Sequence, residues 1–298
     1  MTFSEGGQFE GGRVRRGGGR GGRRLAIGGG GIGIGAIAVV LVYTLLGGNP
    51  ADLLGGDTTG GGSTGQEQYV DNCTAEQANT DRECRLSATA QSLDAYWSQT
   101  LPAQAGTEYV APGVVSFTGG VDTACGSATS ATGPFYCPAD QTVYEDVRFF
   151  DELEQRFGAS GGPLGEMYVT AHEFGHHVEN QLGAFDRADR SGTGADSDSV
   201  RIELMADCLA GMWAGHAATT PDPDTGVPFL EPITARQLDD ALSAAAAVGD
   251  DHLQESAGQA VNPEAFTHGT SNQRVRWFTI GYEGGTVDDC DALSARDL

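Results

Sequence analysis

Two imidazoles four residues apart, with a carboxylate next to the first, are the groups in this chain best placed to do chemistry. They lie in the stretch Thr170-Ala171-His172-Glu173-Phe174-Gly175-His176-His177. On an α-helix positions i and i+4 share a face, so His172 and His176 can aim at one point. Two neutral imidazoles at that spacing suit Zn²⁺, and Glu173 suits a general base acting on a metal-activated water.

A hydrolytic zinc site needs three protein ligands and one position for water. The third candidate is Glu203, with Asp207 four residues later on the same helical face. One carboxylate can bind the metal while the other accepts from the N–H of a ligand imidazole, fixing its tautomer; His172 is the expected partner of Asp207. The competing reading is a solvated acidic face. Against it, Glu203 sits among Ile202, Leu204 and Met205, and a buried, unpaired carboxylate costs several kcal/mol, so a metal or an arginine must stabilise it.

Other titratable residues are weighed the same way. His177 points about 100° round the helix from His176 and reads as a supporting or surface residue outside the metal group. His216 and His252 have no companions and read as core or surface, and Glu179 as a surface acid. His268 precedes a helix and lies six residues before Arg274. Either could stabilise an oxyanion in peptide hydrolysis, the alternative being helix capping and packing.

Helical spacing supplies the elements that must hold these groups. Met167, Ala171, Phe174, Val178 and Leu182 form an apolar stripe on a helix from about 164 to 182. Gly175 within it costs roughly 1 kcal/mol relative to Ala, which points to a close backbone approach there. Further helices are expected around Leu86, Leu93, Tyr96 and Trp97 (as core), from 147 to 157, 199 to 216 and 234 to 248, and through Arg274, Trp277, Phe278 and Ile280. Short β-branched or aromatic runs at 114–117, 134–137 and 142–144 read as strands, either ordinary sheet strands or an edge that pairs with an extended peptide. The expected class is α+β, a small mixed sheet with a mostly helical remainder.

Composition divides the chain. Residues 1–24, Gly- and Arg-rich, read as a disordered cytoplasmic tail. Residues 25–46 carry no charge and match the length of one membrane-spanning helix, with the arginines before it placing the N-terminus inside; a cleaved signal peptide is the competing reading. Residues 47–68 read as a flexible linker and 69–298 as the metal-binding domain outside the membrane. After position 46 there are 11 arginines against 39 acidic residues, which argues against nucleic-acid binding. Six cysteines, Cys73, Cys84, Cys125, Cys137, Cys208 and Cys290, form no C-x-x-C pair; on the outer side of a membrane they read as disulfides, with 15 pairings open.

Together these motifs resemble the neutral zinc metallopeptidase family of bacteria, single-pass proteins with a Gly/Arg-rich tail. The matching pieces are Cys125-Gly126, Gly133-Pro134-Phe135-Tyr136-Cys137-Pro138, His172 to His177, Glu203-x-x-Ala206-Asp207-Cys208, and His268-Gly269-Thr270-Ser271 with Gln273-Arg274 and Trp277-Phe278. The resemblance implies a zincin-like fold preceded by one transmembrane helix, one Zn²⁺ per chain, and a peptide or protein substrate. Glu203 and Asp207 look like the Glu-x-x-x-Asp helix of thermolysin-like gluzincins, where the Glu binds zinc and the Asp supports a ligand His. His268 and Arg274 are similar to a Thr-His-Pro…Arg element of integral-membrane zinc proteases, proposed to steady the transition state, with Gly269 here in place of the Pro. The expectation is a membrane-anchored zinc endopeptidase; the alternative is a non-catalytic zinc-containing envelope protein. Disulfides are expected as local pairs, Cys73–Cys84 and Cys125–Cys137, with Cys208 joined to Cys290.

Overall fold

The computed structural model describes residues 2–17 and 67–298. In chain order its elements are β1 (Gln8–Phe9), β2 (Arg15–Gly17), β3 (Gln68–Tyr69), β4 (Cys73–Thr74), α1 (Ala75–Thr80), α2 (Arg82–Ala105), β5 (Gly113–Phe117), β6 (Gly120–Thr123), β7 (Gly126–Thr129), β8 (Phe135–Cys137) and β9 (Thr142–Glu145). Helices then dominate: α3 (Phe149–Gln155), α4 (Pro163–Gln181), α5 (Ala184–Arg187), α6 (Asp198–His216), α7 (Ala235–Ala247), α8 (Asp250–Ser256) and α9 (Ser271–Tyr282). This is the expected α+β class. The expected span, 25–46, lies outside the described residues, as does the linker up to 66. No helix among the described residues is long and apolar enough to cross a membrane.

The main sheet runs β3-β2-β5-β9-β8 and is mixed, with parallel β2/β5 and β5/β9 pairs and antiparallel β2/β3 and β8/β9 pairs. Its side-chain alternation sorts the strands onto two faces. Val114, Val143 and Tyr136 are partners across β5, β9 and β8 and join the helical core. Val115, Tyr144 and Phe135 are partners on the other face, in a smaller cluster with Phe117 and Ala128 of the β6–β7 hairpin. The Cys125–Cys137 bond ties that hairpin to β8.

The helix carrying both imidazoles, α4, starts at Pro163, whose missing N–H costs nothing in a first helical turn. Glu166 in that turn binds Arg82 at 2.8 Å and also Arg85, both from α2. Gly175 permits the close packing of α4 on α6: a Cβ there would stand 2.8 Å from the Ala206 carbonyl oxygen. At the α6–α9 crossing, a Cβ on Gly281 would collide with the Cys208 carbonyl. The Cys208–Cys290 disulfide fastens α6 to the C-terminal segment, and Cys73–Cys84 joins β4 to α2, so all three expected pairs are present.

The tail expected to be disordered is ordered over residues 2–17. Phe3, Phe9 and Val14 are buried. Strand β1 pairs with β4, and β2 lies between β3 and β5 inside the main sheet. Three isolated apolar residues in a Gly/Arg-rich stretch give no periodic signal; Phe3 and Phe9 pack on each other, and Phe9 on Phe229, far along the chain. The domain therefore comprises 2–17 together with the chain from β3 onward, and the boundary expected at 69 falls inside β3. Three short helices, α1, α5 and α8, were also not expected, since segments of four to seven residues are too brief to show a periodicity.

Candidate metal centre

His172 and His176 project from α4 toward Glu203 on α6, and one ligand atom from each of the three lies within 4.8 Å of the others. The contacts are His172 Nε2 to Glu203 Oε2 at 3.1 Å and His176 Nε2 to Glu203 Oε1 at 3.6 Å. All three side chains are buried. His176 Nε2 is buried with no hydrogen-bond partner, as is Glu173 Oε2. A buried imidazole nitrogen facing a carboxylate and a second imidazole is the donor set of a three-ligand zinc site, so the residues present fit the ion.

Each ligand imidazole is held from behind by a carboxylate. His172 Nδ1 donates to Asp207 Oδ1 at 2.8 Å, and His176 Nδ1 donates to Glu179 Oε2 at 2.8 Å. Both bonds select the Nδ1–H tautomer and leave Nε2 for a metal. Asp207 is itself surrounded by donors. Arg274 gives it two bonds, Nε to Oδ2 at 2.8 Å and Nη2 to Oδ1 at 3.0 Å, and the Tyr168 hydroxyl donates to Oδ1 at 2.5 Å.

The electrostatics follow from these partners. Burial works against ionisation of Asp207, but Arg274 and His172 overcome it and hold the carboxyl below its usual range. Burial likewise opposes ionisation of Glu203, and His268 and His176 drive it well below the usual range. Glu173 is raised, chiefly by burial, with His176 and His172 pulling the other way. Glu179, which has the same His176 nearby but no guanidinium, is pushed by burial up to about 7.

His268 comes close to the centre. Its Nε2 lies 3.9 Å from Glu203 Oε1, and its Nδ1 contacts Asp250 Oδ1 at 3.2 Å and Thr267 Oγ1 at 2.8 Å. Asp250 Oδ2 also accepts the backbone N–H groups of Thr267, His268 and Gly269 at 2.7, 2.7 and 3.1 Å, which pins the loop. Gly269 has φ +85°, a conformation proline cannot adopt, so the departure from a His-Pro sequence is structural here. Arg274 is buried, with its guanidinium bonded to Asp207 and the Tyr168 hydroxyl at the edge of the metal group.

The other histidines stand apart. His177 is fully buried, not a surface residue; its ring bonds the Tyr136 hydroxyl at 3.0 Å and the Val110 carbonyl at 2.6 Å, fastening β8 and the 106–112 loop to α4. His216 bonds the Met212 carbonyl, and His252 the Phe157 carbonyl. Glu179, read as a surface acid, is fully buried. Its i+3 spacing from His176 was the available signal. Asp250 and Tyr168 were missed outright. Tyr168 stands at i−4 from His172 and could have been found; Asp250 reaches His268 across 18 residues and had no local signature.

A cavity opens beside these groups, lined by Pro134, Phe149, Tyr168, Val169 and Val248 around His172, Glu173, Glu203, His268 and Arg274. A sequence model of the family described as "putative neutral zinc metallopeptidase" matches residues 4–293. The chain belongs to this family. It is 49% identical to the uncharacterized protein Rv2575 of Mycobacterium tuberculosis over 225 residues, 76% of this chain and 75% of that one. Its identity to the uncharacterized protein YpfJ of Escherichia coli is 41% over 202 residues, 66% of each chain. No solved structure matches it.

Proposed function

We propose that this family member is a zinc-dependent endopeptidase with one metal ion per chain, held by His172, His176 and Glu203. Zinc there would polarise a peptide carbonyl and bring the pKa of a bound water toward ~7. Glu173 accepts the proton of the attacking water at the unpartnered Oε2 and delivers it to the leaving amine. Asp207 and Glu179 hold the two imidazoles in register. Arg274 keeps Asp207 ionised, acting on the ligand shell rather than on substrate. His268, oriented by Asp250, faces the position where the oxyanion develops.

The observation that carries this reading is the buried, unpartnered oxygen of Glu173 beside the three donors. A zinc site of purely structural use has no need of a base there. Three disulfides support a working place where thiols stay oxidised, outside the cytoplasm, and the apolar stretch 25–46 supports attachment to the membrane.

The test is a comparison of the full-length protein with Glu173→Gln. Both should hold about one zinc by elemental analysis, while only the wild type cleaves an unfolded protein. Zinc retained with no cleavage of any unfolded substrate would instead favour a non-catalytic envelope protein.

A further inference from the structure

We propose that the apolar cavity beside the metal group selects the substrate by taking an uncharged aliphatic or aromatic side chain from a residue flanking the scissile bond. The proposal rests on the peptidase reading. The walls come from four places: Pro134 just ahead of β8, Phe149 at the start of α3, Tyr168 and Val169 one turn before His172, and Val248 at the end of α7. None carries a charge. The Tyr168 hydroxyl is bound to Asp207, so this residue offers the cavity its ring rather than a free donor.

The charged groups that line the cavity are already engaged. Arg274 makes two bonds to Asp207, and Glu203 meets His172, His176 and His268. Glu173 is reserved for the reacting water. A charged guest would therefore lose its hydration without gaining a partner, whereas an apolar one exchanges water for an apolar wall. Because Glu173 itself lines the cavity, a side chain seated there belongs to a residue next to the bond on which Glu173 acts.

The experiment uses the zinc-loaded full chain and two hydroxamates, one with an isobutyl side chain and one unsubstituted, with binding measured by calorimetry. The isobutyl compound should bind on the order of 10- to 100-fold more tightly. Val169→Asp should erase that difference, and Val248→Asp, at a less buried position, provides the same test should the first fail to fold; zinc content reports integrity. Equal affinities in the wild type overturn the proposal. Cleavage sites mapped in a digested unfolded protein should carry apolar residues on one side of the cut, and a charged majority there also overturns it. Failure of the peptidase reading looks different: the isobutyl preference persists while nothing is cleaved.

Independently, we infer that residues 2–17 occupy the same compartment as the metal centre. The Phe3 ring meets Phe9 edge-on, and Phe9 stacks on Phe229. Arg13 binds Asp94 at 2.5 Å and sets its guanidinium 5.8 Å from the ring of Phe174, two residues after His172 and two before His176. Arg16 and Gln68 are strand partners, so residues 2–17 and the chain from 67 onward meet on adjacent strands. A single membrane crossing between them would separate segments that share one sheet and one core. The family match beginning at residue 4 agrees with a domain that includes this segment.

Single cysteines at the exposed positions Glu5 and Val261, probed in intact cells with a charged maleimide, should either both react or both be protected. Opposite labelling overturns the inference. Phe9→Asp in the full chain should lower Tm by several degrees, and an unchanged Tm would also overturn it.

Discussion

Two kinds of buried carboxylate surround the helix that carries the imidazoles. On the side facing α6 and α9, Asp207 and Glu203 are met by cationic or hydrogen-bonding partners and lie below their usual pKa range. On the other sides, Glu179 and Glu145 have no guanidinium. Glu145, at the end of β9, accepts from Thr170 Oγ1 at 2.9 Å, and burial pushes it to about 8. All four are buried, so burial alone does not set the protonation state. The number and kind of partners decide it: Asp207 has the Arg274 guanidinium and His172, Glu203 has three imidazoles around it, Glu179 has His176 alone, and Glu145 has only the Thr170 hydroxyl. Glu203 belongs to the His–His–Glu group and Asp207 and Glu179 back its imidazoles, whereas Glu145 stays protonated at neutral pH and behaves as a buried hydroxyl donor or acceptor.

The largest expected effect tests the compensated side. Asp207→Asn should weaken zinc binding about 10- to 100-fold and also destabilise the metal-free protein by about 3–5 kcal/mol, because Arg274 is left buried without its anion. Zinc competition titrations and urea denaturation separate these two losses. Glu179→Gln should lower zinc affinity with a far smaller loss of stability, since no buried cation is orphaned. Equal destabilisation by the two variants would break the comparison.

Next in size is the joint between the helices. Gly175→Ala should cost roughly 2–3 kcal/mol, because the added methyl meets Ala206 backbone that cannot move freely. Thermal unfolding measures it, and a neutral result would mean that α4 and α6 approach less closely than described.

The smallest effect concerns pH. The folded pKa of Glu145 lies above its unfolded value, so between about 4.3 and about 8 the folded state holds a proton that the unfolded state has released. Its contribution to stability therefore falls as pH rises through that window. Glu145→Gln should flatten the decline between pH 5 and pH 8 and leave the variant the more stable at pH 8, by about 1–2 kcal/mol. Denaturant midpoints of the metal-free protein at the two pH values check this. An unchanged slope would place Glu145 with the ionised pair.

What could be read from the chain follows how local each signal is. His172, Glu173 and His176 are legible because a helix converts an i, i+4 spacing directly into a shared face. Glu203 and Asp207 are legible for the same reason, helped by the apolar neighbours that forbid an unpaired charge. Glu179 obeys the same rule at i+3 but was masked by a composition so acidic that one more carboxylate looked like solvated surface. Asp250 and His268 sit on different elements, and no periodicity joins them. The N-terminal strands are the extreme case, since Phe3, Phe9 and Val14 are too sparse to form a pattern and acquire meaning only from the rings and strands they meet.

By itself, then, the sequence determined the two i, i+4 pairs, His172/His176 and Glu203/Asp207, the place of Glu173 beside the first, and the helices that carry them. Each of these depends on spacing along one helix, whereas the Cys208–Cys290 bond joins positions 82 residues apart and depends on the fold. Only the tertiary structure decided that Arg274 serves Asp207, that Asp250 pins His268, and that the first strands complete the sheet. Those depend on which distant surfaces bury one another, because a buried polar group takes whichever partner the packing brings within reach.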